Sequence, residues 1–375
     1  LILPGLTPHN ACRCHGERAP CFEVGKSAVT RTLTHMAMPD PGRKTIEEAV
    51  ELERSLRGTQ VGMGAACAGH VPTVDMNDEC VSQKLWEAAA SVGFFTVINH
   101  GISAQLIDEA FGASRDFFVL PKEQKHRQSP FAPKSNAGYE FMSQVRPSTG
   151  TPDQKESLQV TARASAMDAR WPTEPANFER TARSLLIEAH AFAARLLSLL
   201  ERRACPQVAE GTLTGAHTLW SEGGQCTLRL LHYPPTEAHD PTVNADASRM
   251  WRAGPHTDWD CLTLLFQRLG EGGLECASNP NAPGGIEGGW VAVEPVEGGI
   301  AVNIGDMLSR WSDGRLYSNL HRVRLPTPAE CSPSPRSRYS IAFFMQADKP
   351  VLIESEKHEP ITAGDYILHR IASNF

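Results

Sequence analysis

The sequence predicts an α+β protein, mainly β, in which a helical N-terminal region packs on an antiparallel β-sandwich or barrel. Three observations carry this. Before Thr214 the apolar residues recur mostly at helical spacing, with short β-branched runs between them. After Thr214, short apolar runs alternate with Gly, Pro, Asn and Asp turns. No helix-length pattern interrupts those runs, which argues against a parallel sheet of βαβ units.

Taken in order, a short strand is expected at Val71 to Val74. "VSQKLWEAAASVG" follows as a helix, with Leu85, Ala88 and Ala89 on one face and Gly93 as its stop. The run Phe94 to Ile98 is a strand, turned by Asn99-His100-Gly101. A second helix begins at a Ser103 cap, carries Leu106, Ile107, Phe111, Phe117 and Phe118, and ends before Pro121. A long helix spans about Ala176 to Arg202. The β runs are "CTLRLLHYPP", "CLTLLFQ", "GWVAVEP", "IAVNIGDML", "HRVRLP" and "RYSIAFFMQ". The end, "TAGDYILHRIASNF", returns to helix with Thr362 as cap.

The expected organisation is an irregular extension over 1–70 with a helix near 44–57, a helical region with short strands over 71–213, a β core over 214–350, and a C-terminal helical segment over 351–375. Residues 59–70 are expected to form a loop. The first forty residues show no period, and a natural chain start is expected at Met36 or Met38.

Of the 375 residues, 41% are hydrophobic and 21% charged, enough for a sizeable core. The formal charge of −7 argues against nucleic-acid or anionic-membrane partners. No apolar run of about 18 residues exists to span a bilayer. The ten cysteines show no paired spacing and read as reduced thiols in a cytoplasmic protein. Cys12, Cys14, His15 and Cys21 crowd together, but no second half-site with zinc-ligand spacing follows.

Chemistry concentrates in "GPHTDWDCLTLLFQ". On a strand, residues two apart face the same way, so His256 and Asp258 would project together. His321, further along at the head of "HRVRLP", is the best third ligand. Two His and one carboxylate suit non-haem Fe(II), with positions left open. A zinc hydrolase uses the same residue types, and two polar residues at the lip of a strand is the plainer reading. In "RYSIAFF", Arg338 and Ser340 again lie two apart, a guanidinium and a hydroxyl suited to a carboxylate.

With these motifs, together with "GFFTVINHGI", "FFVLPKEQK", "GYEF", "VNIGDML" and "LHRV", the chain resembles the Fe(II)/2-oxoglutarate-dependent dioxygenases of the isopenicillin N synthase-like family. The resemblance runs from about Val71 to Ala347. It implies a double-stranded β-helix (jelly roll) with flanking helices, Fe(II) on His256, Asp258 and His321, and 2-oxoglutarate held by Arg338, Ser340 and Tyr233. O2 is the other cosubstrate. Some relatives carry Asn two residues before that tyrosine, where this chain has Leu231. The implied activity is oxidation of a small organic molecule (hydroxylation, desaturation or ring closure) with release of succinate and CO2. Tyr139, Phe141, Trp259 and Met345 are the candidates for the substrate pocket, Gly305-Asp306 is a turn-forming pair, and the C-terminal helix is a candidate lid. A monomer or weak homo-oligomer is expected. Two rivals remain open here: a 2-oxoglutarate-independent oxidase of the same family, and a non-catalytic ligand-binding jelly roll.

Overall fold

Alternation along one strand sets the architecture. In Arg338–Met345, Ile341, Phe343 and Met345 are buried in a large apolar cluster shared with the helices. Arg338, Ser340, Ala342 and Phe344 face the other way, into a cavity. A period-2 strand buried on both faces needs a cover on each side. Here one cover is helical and the other is a second sheet.

The computed structural model describes residues 51, 53, 55, 66–67, 71–236, 250–277 and 289–374. All lie in the unit Pro39–Phe375. The expectations for the first forty residues, and for most of the helix near 44–57, fall outside the described residues, although 51, 53 and 55 are helical.

In chain order the first strands are β1 (Ala66–Cys67), β2 (Thr73–Asp75), β3 (Phe94–Ile98), β4 (Gly138–Phe141) and β5 (Glu156–Thr161). Then come β6 (Thr227–Tyr233), β7 (Ala253–His256), β8 (Leu262–Phe266), β9 (Leu274–Ala277) and β10 (Trp290–Ala292). β11 (Gly299–Ile304), β12 (His321–Val323) and β13 (Arg338–Met345) complete the two sheets. The larger has the order β2-β3-β11-β8-β13-β6-β5-β4 and the smaller β1-β10-β9-β12-β7. Leu231, Tyr233 and Ala342 from the first pack with Ala253, Leu274 and Val323 from the second, so the sheets face each other as in a jelly roll.

Helices α1 (Val81–Ser91), α2 (Ala104–Phe118), α3 (Lys122–Gln128), α4 (Ala164–Met167) and α5 (Phe178–Ala204) precede the β-rich part. Leu185, Leu186, Ala189, Leu196 and Leu200 form the buried stripe of α5 against the outer face of the larger sheet. Gly93 ends α1 at φ +75, and an added Cβ there would collide with the Tyr317 carbonyl. Further on come α6 (Thr212–Gly215), α7 (Asp306–Trp311) and α8 (Ala363–Asn374). Thr362 caps α8 as expected: its hydroxyl accepts the Asp365 N–H at 3.1 Å.

Three expectations are corrected. The 71–213 segment contributes four strands to the larger sheet, so the β core is not confined to 214–350. The 59–70 segment is not all loop, since β1 pairs parallel with β10. Among the described residues, the β runs are interrupted by one short helix, α7, six residues long. β5, "ESLQVT", is buried throughout although four of its six residues are polar, and its two apolar residues, Leu158 and Val160, are too few for the alternation to stand out in the sequence.

Candidate active site

Antiparallel register brings the two histidines together: His321 on β12 stands opposite His256 at the end of β7. Their ring centroids are 4.2 Å apart. Asp258 reaches the same point by a different route from the one the sequence suggested. β7 stops at His256, and Asp258 lies in the loop beyond it. That loop is pinned from behind, because the Asp306 N–H donates to the Asp258 carbonyl at 2.8 Å. Gly305, just before, has no room for a side chain; a Cβ would strike the Asp260 backbone carbonyl.

Asp258 Oδ1 lies 3.6 Å from His321 Nε2 and 3.9 Å from His256 Nε2. One ligand atom from each residue fits within 4.8 Å of the others, and all three residues are buried. The remaining polar atoms are engaged. His256 Nδ1 contacts the Gly254 carbonyl at 2.7 Å and His321 Nδ1 the Asn319 carbonyl at 3.3 Å. Asp258 Oδ2 accepts from Thr263 Oγ1 at 2.6 Å and from Asn303 Nδ2 at 2.9 Å. Each residue therefore turns one free donor atom to a common centre.

The charge states match. Burial, aided by the nearby Arg146 and His321, holds the pKa of His256 well below the usual histidine range, so its imidazole is neutral. For Asp258, burial pushes the pKa up, but His321 and the Thr263 and Asn303 hydrogen bonds outweigh it and keep the carboxylate ionised. Two imidazoles and one carboxylate fit a single divalent ion with coordination positions to spare.

Beside them, Arg338 on β13 stands opposite Tyr233 on β6. The guanidinium is 2% exposed and lies 4.9 Å from the Tyr233 ring centroid. It donates through Nε to the Glu271 carbonyl at 2.9 Å, through Nη2 to Gln267 Oε1 at 3.2 Å and through Nη1 to Ser340 Oγ at 3.3 Å. No carboxylate among the described residues lies within 4.0 Å of it. A buried guanidinium held only by neutral groups is a ready seat for an anion. Leu231, the departure from the relatives' Asn, lines the same cavity as an apolar wall.

The cavity has a volume of about 480 Å³ and contains the triad, Arg338, Ser340 and Tyr233. Of the four pocket candidates, Trp259 lines it and the other three do not. Tyr139 and Met345 have the wrong strand parity. Both point into the helix-packed core at 0% exposure, and the Tyr139 hydroxyl donates to Glu156. Phe141 shares the parity of Tyr139 and packs against that core, under the Lys122 ammonium. Glu140, between them, faces the cavity instead. Sequence reasoning also missed Arg229, Gln159, Lys155 and Asn303, all cavity-lining. For Arg229 a signal existed: it stands four residues before Tyr233 on one strand, hence on the same face.

Two family models match the chain: the non-haem dioxygenase in morphine synthesis N-terminal model over residues 71–179, and the 2OG-Fe(II) oxygenase superfamily model over residues 224–347. The chain belongs to the 2OG-Fe(II) oxygenase superfamily. Among similar proteins, this oxygenase is 32% identical to the 2-oxoglutarate-dependent dioxygenase frbA of Dothideomycetidae sp. (strain 11243), over 73% of this chain and 82% of that one. It is 30% identical to the validamycin A dioxygenase of Streptomyces hygroscopicus subsp. limoneus, over 75% and 78%. Among solved structures, Neurospora crassa T7H in complex with alpha-KG and thymine superimposes with TM-score 0.67 and 25% identity, over 83% of this chain and 100% of the other. The protein is a non-haem Fe(II)- and 2-oxoglutarate-dependent oxygenase acting on a small molecule. Among the described residues, no helix is long and apolar enough to cross a membrane.

Proposed function

We propose that His256, Asp258 and His321 hold the Fe(II) of this oxygenase, that Arg338, Ser340 and Tyr233 hold 2-oxoglutarate, and that the substrate sits in the same cavity against Trp259 and Glu140. One observation carries this reading: a three-donor set and a buried guanidinium without a carboxylate partner share one cavity. Bound iron and 2-oxoglutarate supply O2 activation, with succinate and CO2 released and a substrate C–H oxidised.

The protein's own part is geometric. Thr263 and Asn303 fix Asp258 Oδ2, leaving Oδ1 for the metal. The Gly254 and Asn319 carbonyls orient the imidazoles so that Nε2 faces the centre. Arg338 and Ser340 would take the far carboxylate of 2-oxoglutarate, and Tyr233 would border its inner end. Apolar walls from Leu231, Phe94 and Trp259 keep water from the reacting centre. About 480 Å³ accommodates 2-oxoglutarate with a substrate of modest size. The names of similar proteins mention the small molecules validamycin A and thymine. We place the enzyme in the cytoplasm, a reading supported by free thiols at Cys80, Cys205, Cys226, Cys261, Cys276 and Cys331, and take it to be a monomer or weak homo-oligomer.

The test is anaerobic titration of the metal-free protein with Fe(II) and then 2-oxoglutarate, following the visible metal-to-ligand charge-transfer band. The band should form in the wild type, and Arg338→Ala should need roughly 10- to 100-fold more 2-oxoglutarate, the loss expected for hydrogen bonds to a charged group. A band of unchanged midpoint in that variant would remove Arg338 from the site.

A further inference from the structure

The cavity holds more positive charge than iron and 2-oxoglutarate require. Four cationic side chains line it: Arg146, Lys155, Arg229 and Arg338. Arg338 is assigned above to 2-oxoglutarate. Arg146 Nε and Lys155 Nζ share one carboxylate, Asp153 Oδ2, at 3.0 and 2.8 Å. Arg229 has no carboxylate within 4.0 Å among the described residues. Its Nε donates to Gln159 Oε1 at 2.5 Å, and its guanidinium carbon lies 5.7 Å from the centre of the Phe344 ring. These contacts hold the plane of the group without an ion pair; the Glu140 and Asp258 carboxylates act on its charge only from a distance. Glu140, the acidic residue that faces the cavity nearby, is already accepting from Ser143 Oγ at 3.0 Å and Gln144 Nε2 at 3.2 Å.

The balance can be followed in words. The two charges of Fe(II) and the two of 2-oxoglutarate cancel. Asp153, Asp258 and Glu140 offset three of the four cations. One positive charge is left over, and the cation that has neither an ion pair nor the cosubstrate assigned to it is Arg229. A buried guanidinium of this sort is costly unless an anion completes it. Its place on β6 separates it from the cosubstrate: four residues from Tyr233 correspond to about 13 Å along the strand. In the adjacent strand Arg229 is opposite Ala342, while Tyr233 is opposite Arg338. The two guanidinium groups therefore serve two different parts of the cavity.

We propose that Arg229 anchors a carboxylate on the substrate, so that this oxygenase acts on a monoanionic carboxylic acid. A single uncompensated charge favours a monoanion over a phosphate dianion, and a planar guanidinium matches a carboxylate in a two-bond fork. The carboxylate binds at the Arg229 end, the carbon skeleton lies along Leu265 and Trp259, and the oxidised carbon is the one carried towards the triad. The proposal rests on the iron and 2-oxoglutarate assignments above.

The test uses the anaerobic protein loaded with Fe(II) and saturating 2-oxoglutarate, titrated calorimetrically with benzoate and separately with benzamide, its neutral counterpart. Benzoate should bind and benzamide should bind at least about 10-fold more weakly, the margin expected for a charge-assisted fork. Arg229→Gln should reduce benzoate to the level of benzamide, and Arg229→Lys should recover part of the difference. Equal binding of the two probes, absence of benzoate binding up to tens of millimolar, or a benzoate affinity unchanged in Arg229→Gln would each overturn the proposal. The charge-transfer band is recorded on the same samples. Its loss in Arg229→Gln alone would reassign Arg229 to the cosubstrate and overturn the proposal. Its absence in the wild type would instead defeat the iron and 2-oxoglutarate reading.

Discussion

Arg370, on the C-terminal helix, donates through Nη2 to Glu53 Oε1 at 2.9 Å, and both side chains are buried. The same Nη2 lies 3.2 Å from Asp306 Oδ2 and 3.2 Å from Thr257 Oγ1. Thr257, whose hydroxyl donates to Asp306 Oδ2 at 2.9 Å, stands between His256 and Asp258. One guanidinium thus ties a residue near the start of the described chain, the head of α7 and the loop after His256 to α8. The next residue of that helix, Ile371, lines the cavity.

Removal of that guanidinium leaves the buried Glu53 carboxylate and the half-buried Asp306 carboxylate without their shared cation. Burial already raises the pKa of Glu53, against the pull of Arg370, and Asp306 pushes it further up. Arg370→Met should therefore destabilise the protein by about 3–5 kcal/mol, the cost typical of orphaning a buried charge. It should also weaken Fe(II) binding through the Thr257 loop. Glu53→Gln in the same chain should restore part of the stability. Thermal unfolding and an iron titration of the single and double variants check this; a double variant no more stable than Arg370→Met would show that Glu53 and Arg370 are not coupled.

Asp258 depends on its two donors in the same way. Asn303→Ala and Thr263→Val each free Oδ2 to rotate towards the metal or towards water. Loss of such an outer contact costs roughly 10- to 100-fold in metal affinity. The pair should cost less than the product of the singles, since both hold one oxygen. Fe(II) titration monitored by the 2-oxoglutarate charge-transfer band measures this directly.

Strand parity makes opposite predictions for two neighbours. Tyr139→Phe removes a hydrogen bond to Glu156, which retains Lys125 at 2.7 Å and His232 at 2.6 Å. It should lower stability by about 1 kcal/mol and leave benzoate binding untouched. Glu140→Gln should do the reverse: little change in Tm, and tighter benzoate, because a negative charge leaves the cavity. Unfolding curves and the calorimetric titration separate the two.

What could be read from the sequence divides along physical lines. His256, Asp258, His321, Arg338 and Ser340 were legible because close spacing on short apolar runs implies a shared face, and the structure brings all five to one cavity. Asp258 arrives from a loop rather than from the strand, so the spacing argument met its target by another path. Tyr139 and Met345 went wrong because a short run such as "GYEF" does not reveal which parity faces inward; that depends on the helices behind it. β5 was invisible because its buried Glu156, Ser157 and Gln159 are satisfied by tertiary partners such as His232 and Arg229. Glu53 and Arg370 lie too far apart in sequence for any local pattern to pair them.

Away from the site, His217 gives a pH prediction. Its Nδ1 donates to the Leu213 carbonyl at 2.6 Å, and its Nε2 is buried with no partner among the described residues. Protonation would place a charge and an unmatched N–H in the core. Burial, with a smaller contribution from the nearby His190, accordingly lowers its pKa to about 4. The unfolded chain takes up the proton near 6.5, so acid favours unfolding as pH falls from there to about 4, and the effect levels off below. Full development of the shift corresponds to about 3 kcal/mol. His217→Gln should keep the Leu213 contact and remove this part of the acid sensitivity. Denaturant unfolding between pH 7 and 4 should give a shallower decline in the variant; parallel curves would assign the acid loss to other groups.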